Sequence, residues 1–135
     1  MSQNCIFCQI LDGELPSYKI YEDDHTIAFL NIYPSVKGHV LLIPKKHGEQ
    51  MFDFSTEELK NIMSGIEQVT RQMQEVLKPD GFNIGWNHGE HAGQSVPHLH
   101  VHIMPRWQGD GDGSVQSFIK NPGETEVKDV FELFQ

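Results

Sequence analysis

His98-Leu99-His100-Val101-His102-Ile103-Met104 sets three histidines at strict two-residue intervals, each followed by an apolar residue. Two is the side-chain period of a β-strand, so this spacing sends all three imidazoles to one sheet face and Leu99, Val101 and Ile103 to the other. A rise of about 3.3 Å per residue puts neighbouring rings roughly 6.6 Å apart along the strand. Groups that close can act on one substrate or one metal. Imidazole is also the side chain best suited to attack, take or give a proton near neutrality. A purely structural strand with a solvated face would more often carry Thr, Lys or Glu at those positions. The stretch therefore predicts a strand from His98 to Pro105 with a reactive row along it.

The loop that feeds this strand, Asn87 to Pro97, is polar and contains glycines. Within it Gly93-Gln94-Ser95 can offer backbone amides, a side-chain amide and a hydroxyl to phosphate oxygens, and glycine permits close approach to the backbone. Alone it reads as a turn of small residues. Set before three aligned histidines, it points to a phosphate ester or phosphoramidate, whose developing charge such donors would stabilise.

Four further strands are predicted: Tyr18 to Glu22, His25 to Asn31, the more continuously apolar Gly38 to Pro44, and Phe82 to Asn87. Ser55-Thr56-Glu57-Glu58 has the form of a capping box, followed by a helical stripe of Leu59, Ile62, Met63, Ile66, Val69, Met73, Val76 and Leu77. Lys78-Pro79-Asp80-Gly81 ends it. One long helix among antiparallel strands gives an α+β fold, a five-stranded sheet with the helix on its apolar face and the histidines on the opposite one. Gln108 to Gly113 reads as a mobile loop.

The 135 residues fit one domain over 1–135, with a core at about 4–113 and a C-terminal extension at 114–135. A net charge of −9 argues against a nucleic-acid partner, which needs a basic stripe. No apolar run approaches membrane-spanning length and no export signal is evident, so a cytoplasmic location with reduced cysteines and no membrane partner is expected. Cys5-Ile6-Phe7-Cys8 reads as half of a zinc site, a redox couple or two buried thiols.

The chain resembles the histidine triad (HIT) superfamily. The resemblance rests on His98 to Met104, on Asn87, Gly89 and Ala92 to Val96 upstream, on Pro105-Arg106 downstream, and on Phe29 to Ile32 and Gly38 to His47. It looks most like the prokaryotic, zinc-containing branch. It implies a homodimer and a nucleotide hydrolase or phosphoramidase acting at the α-phosphorus of purine nucleotide derivatives such as an AMP-amine, a dinucleoside polyphosphate or an acyl-AMP. His100 would attack phosphorus to give a nucleotidyl-histidine, His102 would bond phosphate oxygens, and Ser95 would support the leaving group. His98 completes the triad, and His39 would support it from the neighbouring strand. The AMP-like ligand would meet Asn31, Ile32, Asn87, Gly93, Gln94 and Ser95. Asn31 departs from the Asp of most relatives, exchanging a carboxylate for an amide with one acceptor and one donor group. The resemblance also implies structural Zn²⁺ on Cys5, Cys8, His47 and His98.

Two rivals carry different expectations. One is metal catalysis with His98, His100 and His102 on a single ion, although same-face residues along a strand span far for one ion. The other is a non-catalytic nucleotide-binding or scaffolding protein of the same family. A nucleotidyltransferase is a variant of the first reading.

Overall fold

A computed structural model describes residues 4–111 and 113–135. A short helix α1 (Ile6–Leu11) leads into β1 (Lys19–Glu22), β2 (Thr26–Leu30) and β3 (Val40–Pro44). The long α2 (Thr56–Leu77) follows, then β4 (Gly81–Gly85), β5 (Val101–Arg106) and a terminal α3 (Val127–Glu132). The five strands form one antiparallel sheet in the order β1-β2-β3-β5-β4. The α+β architecture is the one the sequence predicts.

Helix α2 begins where its signal lies. Ser55 Oγ accepts the Glu58 N–H at 3.1 Å, and the Glu58 carboxylate accepts the Ser55 N–H at 2.8 Å. Its inner stripe of Ile62, Ile66, Val69 and Met73 buries against Ala28, Val40, Leu42, Leu99, Val101 and Ile103. Each such aliphatic side chain contributes roughly 1.5–3 kcal/mol, which makes this face the main source of stability.

The other face is where the structure departs from expectation. It is not open: Cys5, Phe7 and Cys8 pack there against Ile27, Phe29, Leu41 and Ile43, so α1 covers part of the histidine side. The histidine strand also starts later than its alternation suggests. Its ladder with β3 runs only from Val101, because the Leu99 N–H that would extend it to the Pro44 carbonyl is given to Gly48, and that carbonyl accepts from the His98 ring. His98 to His100 stay in line through other bonds, chiefly the Leu99 N–H to the Gly48 carbonyl at 2.7 Å.

The segment read as mobile is gathered around one guanidinium. Arg106 makes a bidentate pair with Asp110 at 2.9 and 3.0 Å and also bonds the carbonyls of Gly111 and Gly113. That pairing holds the Asp110 carboxyl down at about 2. Asp112, part of that expected loop, lies outside the described residues, as do positions 1–3. Among the described residues no helix is long and apolar enough to cross a membrane.

Candidate active site and metal cluster

Register fixes the row. His102 pairs with Leu41 of β3 on one side and Gly85 of the edge strand β4 on the other. Hydrogen bonds then assign the proton on each ring. A carbonyl can only accept, so His100 Nδ1 carries the hydrogen that meets the His98 carbonyl at 2.8 Å, leaving Nε2 with its lone pair. A backbone N–H can only donate, so His39 Nδ1 accepts from Ser35 at 3.0 Å, and His39 Nε2–H donates to His102 Nδ1 at 2.9 Å. His102 therefore carries its hydrogen on Nε2, and that buried atom has no partner among the described residues. A buried, unpaired donor costs about 1–3 kcal/mol and marks a place for a ligand oxygen.

Burial sets the charge state. It is the main cause that lowers His39, His100 and His102, with His100 and His39 nearby taking His102 down to about 4. All three are neutral at pH 7. A neutral ring with a free Nε2 lone pair (His100) thus lies 5.2 Å, centroid to centroid, from a neutral ring with a free Nε2–H (His102). This arrangement supplies a nucleophile and a hydrogen-bond donor side by side.

Two clefts meet at His102. The first, about 320 Å³, takes its walls from Ile6, Phe7 and Ile10 of α1 and from Phe29 to Tyr33, and holds Asn31, Ser95, His100 and His102. The second, about 370 Å³, holds His39, Asn87, Trp86, Met104 and Phe118 on the other side of His102.

His98 faces elsewhere. Its Nε2–H donates to the Pro44 carbonyl at 2.9 Å, so its Nδ1 lone pair points at Cys5 Sγ (3.4 Å), Cys8 Sγ (3.7 Å) and His47 Nδ1 (3.2 Å). Cys8 Sγ and His47 Nδ1 are 3.2 Å apart, and all four donor atoms lie within 4.8 Å of one another. A tetrahedral ion with bonds of about 2.3 Å to sulfur and 2.0–2.1 Å to nitrogen separates its ligands by roughly 3.3–3.8 Å. The set fits such an ion, and the Cys8 N–H already donates to Cys5 Sγ at 3.4 Å, as a supporting bond to a thiolate would. Cys5, Cys8, His47 and His98 could therefore bind a metal. With His98 turned to that cluster, the three triad rings do not converge on one ion.

The HIT domain family model matches residues 12–109. The chain belongs to the histidine triad family. Protein hit of Bacillus subtilis is 46% identical to this HIT chain over 115 residues, 84% of this chain and 79% of that protein. An adenosine 5′-monophosphoramidase of Saccharomyces cerevisiae is 38% identical over 102 residues, 76% of this chain and 62% of its own. The solved structure of a Zn-bound histidine triad family protein from Mycobacterium smegmatis matches with a TM-score of 0.77 at 36% identity, covering 91% of this chain and 86% of that one.

Within this HIT fold the expected site residues divide. Asn31, Ile32, Ser95, His100 and His102 share the first cleft, whereas Asn87 lies in the second beside His39. Gln94 lines neither cleft. Its side chain accepts the Gly89 N–H and donates to the Glu49 and Val96 carbonyls, so it fastens the loop. The amides of Gly93 and Gln94 are likewise spent on Glu90 and Gly89. Gly93, at φ 102°, serves the turn, where a side chain would be strained. Phe7 went unread, although Phe7, Ile10 and Leu11 already follow helical spacing behind Cys5.

Proposed function

We propose that this HIT protein is a nucleotide hydrolase, a phosphoramidase in the first instance, acting at the α-phosphorus of an AMP-like substrate through a nucleotidyl-His100 intermediate. One observation carries the reading: His100 Nδ1–H is tied to the His98 carbonyl, and the freed Nε2 lies beside an unpartnered His102 Nε2–H. His100 Nε2 attacks phosphorus as the bond from phosphorus to the leaving nitrogen breaks. His102 Nε2–H bonds a non-bridging oxygen, the Ser95 hydroxyl bonds the leaving amine, and solvent supplies that amine's proton. Water then attacks phosphorus, the P–Nε2 bond breaks, and the released proton returns to solvent. The His98 carbonyl stabilises the positive ring of the intermediate through Nδ1–H. The apolar walls of the first cleft suit a purine, with Asn31 and Ile32 along the nucleoside.

The metal of the Cys2His2 cluster is proposed to be structural zinc, whose chemistry there is to clamp four ligands. A homodimer is proposed on the exposed edge formed by β4, with part-exposed Ile84 and Trp86, and light scattering at twice the chain mass would bear it out.

The test is AMP release from adenosine 5′-phosphoramidate, with diadenosine polyphosphates and acyl-AMP compared as leaving groups, for wild type and His100→Ala. Turnover by wild type, lost at least about a thousandfold in a folded mutant, is expected. AMP binding without turnover of any substrate would replace the reading with a non-catalytic one.

A further inference from the structure

Helix α1 is only six residues long, too short to be stable alone. Its first turn is nevertheless tied to distant parts of the chain. Cys5 caps its first turn and Cys8 lies inside it, and both thiols face His98 and His47, some 40 to 90 positions away. Between the two cysteines, Phe7 is buried and its ring reaches from the cluster to the triad. Its ring meets His100 at 5.1 Å and 67°, His98 at 5.8 Å and 88°, and Phe29 at 5.8 Å. Ile6, Phe7 and Ile10 together line the first cleft.

A ring held by its Cβ and one hydrogen bond can still tilt by small changes of its side-chain torsions. The Nδ1–H of His100 fixes one atom, and the Phe7 ring, packed against the imidazole at 67°, fixes its tilt. We propose that Phe7 is a positioning residue for His100, and that the Cys5/Cys8 clamp holds it in place. The metal cluster and the nucleophile are then joined through the first turn of one short helix. Metal content governs nucleotide affinity, through the α1 wall of the cleft, as well as stability. This rests on the nucleotide reading above.

The experiment uses the full-length, zinc-loaded chain. AMP affinity is measured by calorimetry before chelation, after chelation, and after zinc is restored, with circular dichroism recording the fold. Chelation is expected to weaken AMP binding at least tenfold in a chain that stays folded, and zinc is expected to restore it. Affinity within twofold after chelation overturns the proposal and leaves the nucleotide reading standing. No AMP binding by the loaded chain overturns both. Where the stripped chain unfolds, zinc-loaded Phe7→Leu decides. A kcat at least tenfold lower, with KM within threefold and one zinc per chain retained, supports positioning. An unchanged kcat overturns it, because a merely structural residue would lower stability and leave kcat alone.

Discussion

At position 31 the side-chain oxygen accepts the Tyr33 N–H at 2.9 Å. An N–H needs an oxygen acceptor, so the orientation of the amide is fixed and its NH2 group is the end left for the first cleft. A carboxylate in the same turn would spend one oxygen on Tyr33 and keep another for a sugar hydroxyl. Here a donor stands in that place. It can bond a hydroxyl oxygen but cannot accept from a hydroxyl, and it carries no charge to strengthen the bond. The ratio of AMP to 2′-deoxy-AMP affinity in wild type is therefore expected to stay within about threefold. Asn31→Asp is expected to raise that ratio by about tenfold, the worth of one charge-assisted hydrogen bond. Calorimetry with the two nucleotides checks this, and an unchanged ratio would show that position 31 does not meet the sugar. That Asn31 belongs with the first cleft was legible from resemblance. That its oxygen was already committed was not, since an Asx turn depends on backbone geometry that composition leaves open.

Among the elements, α2 comes close to β2 at Gly65. A Cβ there would come 2.6 Å from Thr26 Oγ1 and 3.3 Å from Leu42 Cδ1. Thr26 is β-branched and held in a strand, so its hydroxyl has little room to swing away. Gly65→Ala sets two effects in opposition. Alanine favours the helix by about 0.8–1 kcal/mol, while overpacking a close contact costs about 1–3 kcal/mol. The second is expected to win by about 1–2 kcal/mol, seen as a lower urea midpoint with an unchanged slope. A higher midpoint would mean that α2 can step off the sheet. The elements themselves were well marked in sequence. The Ser55 capping box set the start of α2, and the alternation of Leu99, Val101 and Ile103 set which face α2 covers. The point where the ladder of β5 with β3 begins was less legible, because it is set by the Gly48 carbonyl, far earlier in the chain, which takes the Leu99 N–H, and not by the histidine run itself.

Across the whole molecule, what sequence could not reveal was mostly long-range. Cys5 and His98 are 93 positions apart, and no periodicity relates them. Family resemblance joined them, but the ring of Phe7 between the cluster and His100 emerged only from packing. Bringing so many imidazoles into one buried region has a global consequence. His39, His98, His100 and His102 are all held below the ordinary 6.5, first of all by burial, with His98 and His102 at about 4. Above pH 6.5 these rings are neutral in the folded and unfolded chain alike, and their contribution to stability is fully present. As pH falls from 6.5 toward 4, the unfolded chain takes up protons that the folded chain refuses, so stability is lost. Below about 4 the folded rings protonate too, and the loss from His98 and His102 levels off. A metal on His98 Nδ1 steepens the same trend, since metal and proton compete for one lone pair. The lowered carboxylates Glu22 and Asp110 act in a separate window, because their ordinary values are 4.5 and 3.8. The interval from pH 6.5 to 5 thus reports mainly on the histidines. Calorimetric Tm is expected to decline across it, and His102→Gln is expected to flatten part of that slope. A Tm constant from pH 6.5 to 5 would mean that these rings accept protons freely in the folded state, and that the neutral row the proposed attack by His100 requires is not maintained by burial.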